Sequence, residues 1–314
     1  MPLLAGQLTQ PPVVDGLRQP IRVTYIDPDG TIWPWSDPLT GIILTSVTGL
    51  GSPPASLTST ALEGGGALAQ RYGAAQRTIV VGLHVYDEES QAGLFDLMDR
   101  LAAALWTERL GTPAPGTLVF ARPGGSARQI EVYCTSGPEQ ADTEATHDGY
   151  QWSTSYALTF VSGLDPLFSD ATDTTVPFAS APVGGGVPPM PPVILAPSTV
   201  LGSTSVTNSG NGFAYPVWTI TGPGTPTISN TTTGRSFGLD VALSGGEVVT
   251  VDTRPARQSA IDDDGDDRWG DLVKVSPRDL WTLPPGTSQL DLEMTGSDTN
   301  TKIQLAYRRR WLRA

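Results

Sequence analysis

Apolar residues recur at every second position through most of this chain, and that period limits the fold more than any other property of the sequence. Successive side chains of a strand point to opposite faces, so Ile79, Val81, Leu83 and Val85, set against Thr78, Val80, Gly82 and His84, describe a strand with one buried face and His84 on the other. The same period puts Ile21, Val23 and Tyr25 on one side of a strand that turns at Asp27-Pro28-Asp29-Gly30 and resumes over Thr31 to Trp35, a β-hairpin. Further strands are predicted at Thr117 to Arg122, Arg128 to Thr135 and Trp152 to Val161, the last with Trp152, Thr154, Tyr156, Leu158 and Phe160 on one face. Helical period appears once. Leu94, Met98, Leu101 and Leu105 form a stripe, Asp87 is placed as the N-cap with Glu88 and Glu89 in the first turn, and Gly111-Thr112-Pro113 ends the helix. The segment from Gly49 to Gly66, rich in glycine, proline and serine, reads as a loop. Strands around one long helix make an α+β domain.

A change of composition divides the chain. The run Gly184-Gly185-Gly186-Val187-Pro188-Pro189-Met190-Pro191-Pro192 cannot sit within a sheet ladder, so residues 171–199 are expected to be a Pro/Gly-rich linker and entry segment to the second domain, between a domain over 1–170 and one over 200–314. Beyond it Phe237, Leu239 and Val241, Val249 and Val251, Leu290, Leu292 and Met294, and Ile303, Leu305 and Tyr307 alternate in short runs separated by glycine, asparagine and aspartate. No helical period accompanies them, which predicts an antiparallel β-sandwich. The fold class expected is mainly β.

Charge and motif content narrow the function. With 19 basic against 32 acidic residues the net charge is −13, a surface that repels phosphate backbones and anionic lipid, so no specific nucleic-acid partner is expected. No apolar run approaches the roughly 20 residues of a membrane helix, and MPLLAGQLTQPPVVDG lacks the features of a secretory signal, so synthesis and assembly in cytoplasm are expected. The single cysteine, Cys134, excludes an internal disulfide and paired-cysteine zinc sites, and its register with Ile130 and Val132 makes it a small buried hydrophobe. Asp262, Asp264 and Asp266 have the alternate spacing of a calcium loop, but Gly265 comes too early for an EF-hand and no glutamate closes it. A solvated hairpin tip is the other reading. His84 and His147 lack paired ligands, Gly64-Gly65-Gly66 lacks the Lys-Ser/Thr of a phosphate loop, and there is no G-x-S-x-G elbow, so no catalytic residue and no cofactor is assigned. Trp218, Trp269, Trp281 and Trp311 suit a sandwich core or a subunit interface, and aromatic rings of this kind also stack on sugars. The basic, aromatic stretch Tyr307 to Arg313 suits docking onto acidic neighbours, including those of a second copy.

Several segments, in order, resemble the distal tail family of long-tailed bacteriophages. They are Leu62-Glu63-Gly64-Gly65-Gly66 with Tyr72-Gly73 and Arg77-Thr78-Ile79-Val80-Val81; Pro115-Gly116-Thr117-Leu118 with Arg122 to Arg128 and Val132-Tyr133; and Leu158-Thr159-Phe160 before Asp165-Pro166-Leu167-Phe168. In the second half they are Pro216 to Gly222 with Pro226 to Asn230, Val249 to Thr253, and Trp281 to Gly286. The resemblance implies an N-terminal belt domain closing a homohexameric ring and a C-terminal galectin-like sandwich outside it. It further implies contact with the tail tube protein, with the tail-associated hub protein and with other tail-tip or receptor-binding proteins. Such a protein resides at the distal end of the tail in the virion, is made in the host cytoplasm, and lets DNA pass through a channel; if the chain's acids face that channel, its wall would not hold the DNA. Ring contacts are expected from Arg22, Tyr25, Trp33 and Trp35 of the first hairpin, from the Gly49 to Gly66 loop, and from Arg308, Arg309 and Arg310. Arg268-Trp269-Gly270 resembles part of the galectin sugar site without its other members, so sugar binding is not carried over. A carbohydrate-binding adhesion protein recognising host-surface glycans is the alternative function.

Overall fold

In the computed structural model residues 21–137, 146–147, 149–179, 202–274 and 280–314 are described. The chain forms two units, Met1–Ala171 with Trp311–Ala314, and Thr172–Arg310. In the first, strands β1 (Arg22–Ile26), β2 (Ile32–Trp33), β3 (Ile42–Thr48), β4 (Ala55–Ala61), β5 (Ala67–Ala74) and β6 (Thr78–Asp87) precede helix α1 (Gln91–Leu105). Strands β7 (Glu108–Arg109), β8 (Thr112–Pro113), β9 (Gly116–Ala121), β10 (Arg128–Ser136), β11 (Thr146–His147), β12 (Trp152–Ser162) and β13 (Phe168–Asp170) follow. An antiparallel sheet runs in the order β2-β1-β9-β10-β12-β6-β3. The alternation seen in the sequence is its inner face: Val23, Tyr25, Ile79, Val81, Leu83, Val85, Leu118, Phe120, Leu158 and Phe160 are fully buried in one cluster with Leu94, Met98, Leu101 and Leu105 of α1. His84 is on the other face, with Nδ1 3.1 Å from Ser155 Oγ.

Three local expectations are corrected. The N-cap of α1 is Ser90, whose Oγ accepts from the Gly93 amide at 2.9 Å, while Asp87 still belongs to β6 and accepts from the amides of Glu89 and Ser90. Glu88 and Glu89 therefore precede the helix. At its far end the helix stops at Trp106, whose amide bonds Ala102 O and Ala103 O, because the next residues form the β7–β8 hairpin around Gly111 at φ 76°. The segment from Gly49 to Gly66 is no loop: β4 and β5 pair with each other as a separate two-stranded sheet, turning through Leu62 to Gly66.

The second unit contains β14 (Thr174–Ala179), β15 (Gly202–Asn208), β16 (Val217–Thr221), β17 (Thr225–Asn230), β18 (Arg235–Leu239), β19 (Val248–Asp252), β20 (Ser259–Asp262), β21 (Leu272–Val273), β22 (Gly286–Thr295) and β23 (Lys302–Tyr307). They form two five-stranded sheets, β14-β23-β16-β19-β20 and β15-β22-β17-β18-β21. Trp218, Ile220, Val249, Val251, Ile303 and Leu305 from one sheet meet Ile228, Phe237, Leu290, Leu292 and Met294 from the other in a single core, the sandwich expected from the sequence. Residues 174–179, within the expected linker and entry segment, pair with β23, and Pro177 is tolerated there because β14 is an edge strand. Trp311–Ala314 belongs to the first unit. The proline-rich centre at 184–192 lies outside the described residues. Val241 follows the end of β18 and is 38% exposed, so it does not continue the core face of Phe237 and Leu239.

Candidate assembly surface

One feature of the first unit that its own core does not explain is the β4–β5 arm. Apart from Gly73, each of its strand residues is exposed, including Leu57 at 61%, Leu68 at 58% and Tyr72 at 77%. Directly paired residues of an antiparallel ladder share a face. Ala55 with Ala74, Leu57 with Tyr72, Ser59 with Ala69, and Ala61 with Ala67 therefore make one face, and Gln70, skipped in the pairing, takes up the register shift. That face holds no charge. The other carries Ser56, Thr58, Thr60, Leu68 and Arg71. An isolated two-stranded hairpin is marginal in water, and this arm leaves one uncharged, largely apolar face exposed.

Arg77 anchors the arm where it returns to the sheet. Its side chain is fully buried, yet its hydrogen bonds all go to main-chain oxygens: Nε donates to Pro166 O at 2.9 Å, Nη1 to Gly49 O at 2.7 Å and Gly51 O at 2.5 Å, and Nη2 to Leu312 O at 2.8 Å. The guanidinium lies 4.4 Å from the centre of the Phe168 ring. Burial lowers its pKa to about 10, opposed by Asp165, so it remains a cation at neutral pH. Gly49, at φ 84°, passes so close to β6 that a Cβ there would lie 2.2 Å from Thr78 O. The Ala75 amide closes the base on Pro54 O at 2.7 Å.

The interface residues expected from the sequence separate into groups. Arg22 is exposed at the start of β1, and Trp33 is half-buried, its Nε1 donating to Asp27 at 3.2 Å. Tyr25 and Trp35 are corrected to core residues: both are fully buried, stacked 5.2 Å apart beside Phe160, and Tyr25 donates to Ala104 O. They sit on the inward parity of the hairpin. Ile32, Trp33, Leu97, Arg100 and Ala103 line a mostly apolar groove of about 560 Å³ between that hairpin and α1. Arg308 meets an acid, but one of its own unit, Asp173 at 2.7 Å, and Arg309 donates to Ser209 Oγ at 3.2 Å. Arg310 is corrected to a buried residue that donates to Phe213 O at 2.7 Å and lies over the Tyr215 ring.

Other candidates are absorbed by structure. Asp262 accepts from the Asp266 amide at 2.8 Å and faces Arg268 at 3.7 Å, so its carboxylate ties a turn. Among the described residues no group of three His, Cys, Asp or Glu side chains gathers as metal ligands do. Cys134 is half-buried against the core, and burial pushes its thiol up to about 11. Trp218 and Trp281 are fully buried, Lys274 covers Trp269, and Trp311 lies under Arg128. The exposed tryptophan is instead Trp106, at 64%, just past α1.

A one-helix antiparallel sheet with a separate two-stranded arm, joined to a two-sheet sandwich, is an arrangement with counterparts among solved phage proteins. In particular, the chain is similar to the Dit protein (gp 19.1) of phage SPP1, a paradigm of the hub adsorption apparatus in phages infecting Gram-positive bacteria. The TM-score is 0.59 at 14% identity, over 93% of this chain and 99% of that one. A chain of the phage P2 baseplate, solved in its activated conformation with Ca, gives 0.50 at 9% identity, over 93% and 98% of the two chains. No protein-family model and no curated protein matches the sequence. The likeness is one of fold, and it extends through both units.

Proposed function

We propose that this chain is a structural, non-enzymatic subunit of a phage tail tip. Its copies close into a ring, sixfold in this reading, at the distal end of the tail, between the tail tube protein and the hub, with DNA passing through the centre. The observation that carries the proposal is the arm, an exposed ladder with one uncharged face that none of the described residues of its own unit covers. A ring needs a heterologous interface, in which two different surfaces of one subunit meet. The arm and the apolar groove beside Ile32 and Trp33 are two such surfaces.

If the Ser/Thr face of the arm turns to the channel, its only strand charge is Arg71. DNA then slides because a basic row is missing, without need of the acidic wall that composition suggested.

Electron microscopy and mass photometry of the purified chain test this. Sixfold rings are expected, and replacing residues 55–74 with a short Gly-Ser connection should abolish them while both units still melt cooperatively. A strict monomer at all concentrations, with and without the tail tube protein, would refute the ring.

A further inference from the structure

We propose that Trp311–Ala314 is a strap that fixes the root of the arm, so that the first unit completes its assembly element only after the chain has traversed the second. The outgoing root is the tripeptide Gly49-Leu50-Gly51, and all three of its carbonyls are taken. Arg77 binds Gly49 O and Gly51 O, and the Ala314 amide donates to Leu50 O at 3.1 Å. The returning root is Arg77 itself, whose Nη2 donates to Leu312 O at 2.8 Å. Both ends of the arm are thus tied to the strap.

The strap has its own fastening. Arg128 donates to Arg313 O at 2.5 Å and lays its guanidinium 4.0 Å from the centre of the Trp311 ring, whose Nε1 donates to Asp170 at 2.8 Å. The acceptors on the strap are main-chain oxygens, which any sequence offers, so the side-chain share of its hold lies with Trp311 and the arginines. Without Leu312 O, a donor of the fully buried Arg77 would face no acceptor. Residues 172–310 form the other unit and lie between Ala171 and Trp311 in sequence, so the root stays open until that stretch has been made. The consequence is an order of events: a chain interrupted within the sandwich presents an unfixed arm.

That the arm closes a ring rests on the proposal above; that the strap fixes its root does not. The test is hydrogen exchange, read by mass spectrometry on the full chain under dilute, monomeric conditions, for the wild type, Trp311→Ala and Trp311→Phe. In Trp311→Ala the amides of Ala75, Arg77 and Ala314 should exchange faster by about tenfold or more, with Val81 and Val85 of β6 and Val249 and Val251 of the second unit unchanged. Phenylalanine, which keeps a ring under Arg128, should restore most of the protection. Root amides that exchange at the wild-type rate in Trp311→Ala would overturn the strap, as would acceleration spread evenly over the first unit. If the root responds but the wild type never forms rings, the strap stands and the ring fails; if rings form and the root is unresponsive, the ring stands and the strap fails.

Discussion

Replacing Arg77 with lysine should destabilise the first unit and leave the second alone, and the size of the loss follows from the bonds at the arm root. The guanidinium serves four carbonyls from three directions while its plane covers Phe168. An ammonium has three donors on one atom and no plane, so it keeps the charge but leaves at least one of Gly49 O, Gly51 O, Pro166 O and Leu312 O unpaired in a buried site. A buried group left unpaired costs about 1–3 kcal/mol and loss of the ring contact about 1 kcal/mol, which together make roughly 2–4 kcal/mol. Native stability is only about 5–15 kcal/mol, and a unit of this size loses roughly 2–4 °C per kcal/mol, so the first unit should melt about 10 °C lower. Differential scanning calorimetry measures this with the second unit as internal reference, since its core around Trp218 and Trp281 shares no residue with the arm root. A first transition unmoved by Arg77→Lys, or two transitions falling together, would refute the account.

Other outcomes follow from single groups. Burial raises the pKa of Cys134 from 9.0 to about 11 and also raises that of Tyr25, so the folded first unit holds protons that the unfolded chain releases. Its stability should fall as pH rises from 9 towards 11, and Cys134→Ala should flatten the decline, measured by urea unfolding across that range. Ser90→Ala should cost about 1 kcal/mol in the same assay through loss of the α1 cap, whereas a helix capped by Asp87 would show no such loss. Because Asp262 is engaged by its own turn and Arg268, calcium or a chelator should leave the melting of the second unit unchanged; a calcium-dependent rise would show that the acidic tip binds the ion after all.

Hydrophobic period made legible what each unit buries for itself. Ile79 to Val85, Trp152 to Phe160 and Leu290 to Met294 alternate because one face of each strand meets a core of the same unit, and those faces are readable residue by residue. The helix stripe is readable for the same reason, while its ends are not, because an acid pair beside a turn and a true first turn have the same composition. Tyr25 and Trp35 show the limit in the opposite sense: large aromatics near a turn suit an interface, but parity decides, and both point inward.

The arm is hidden in the sequence for a physical reason. Its faces differ mainly as Ala, Leu, Tyr against Ser, Thr, Arg, a contrast too shallow to register as alternation, because both faces are exposed in the chain alone. Arg77 is equally hidden, since an arginine before a strand suggests a surface, and only the convergence of carbonyls from residues 49, 51, 166 and 312 makes a buried cation tolerable there. Those acceptors are backbone atoms, so no side-chain pattern records them. On the proposed reading the arm is exposed alone and covered in the ring, so it must be held in place by its root, which is built from main-chain oxygens brought together by an arginine and the chain's last residues. Substitutions that leave the arm itself untouched but disturb Arg77, Arg128 or Trp311 should therefore impair assembly as deeply as changes to Leu57 or Tyr72, which sedimentation of the variants at matched concentration will show.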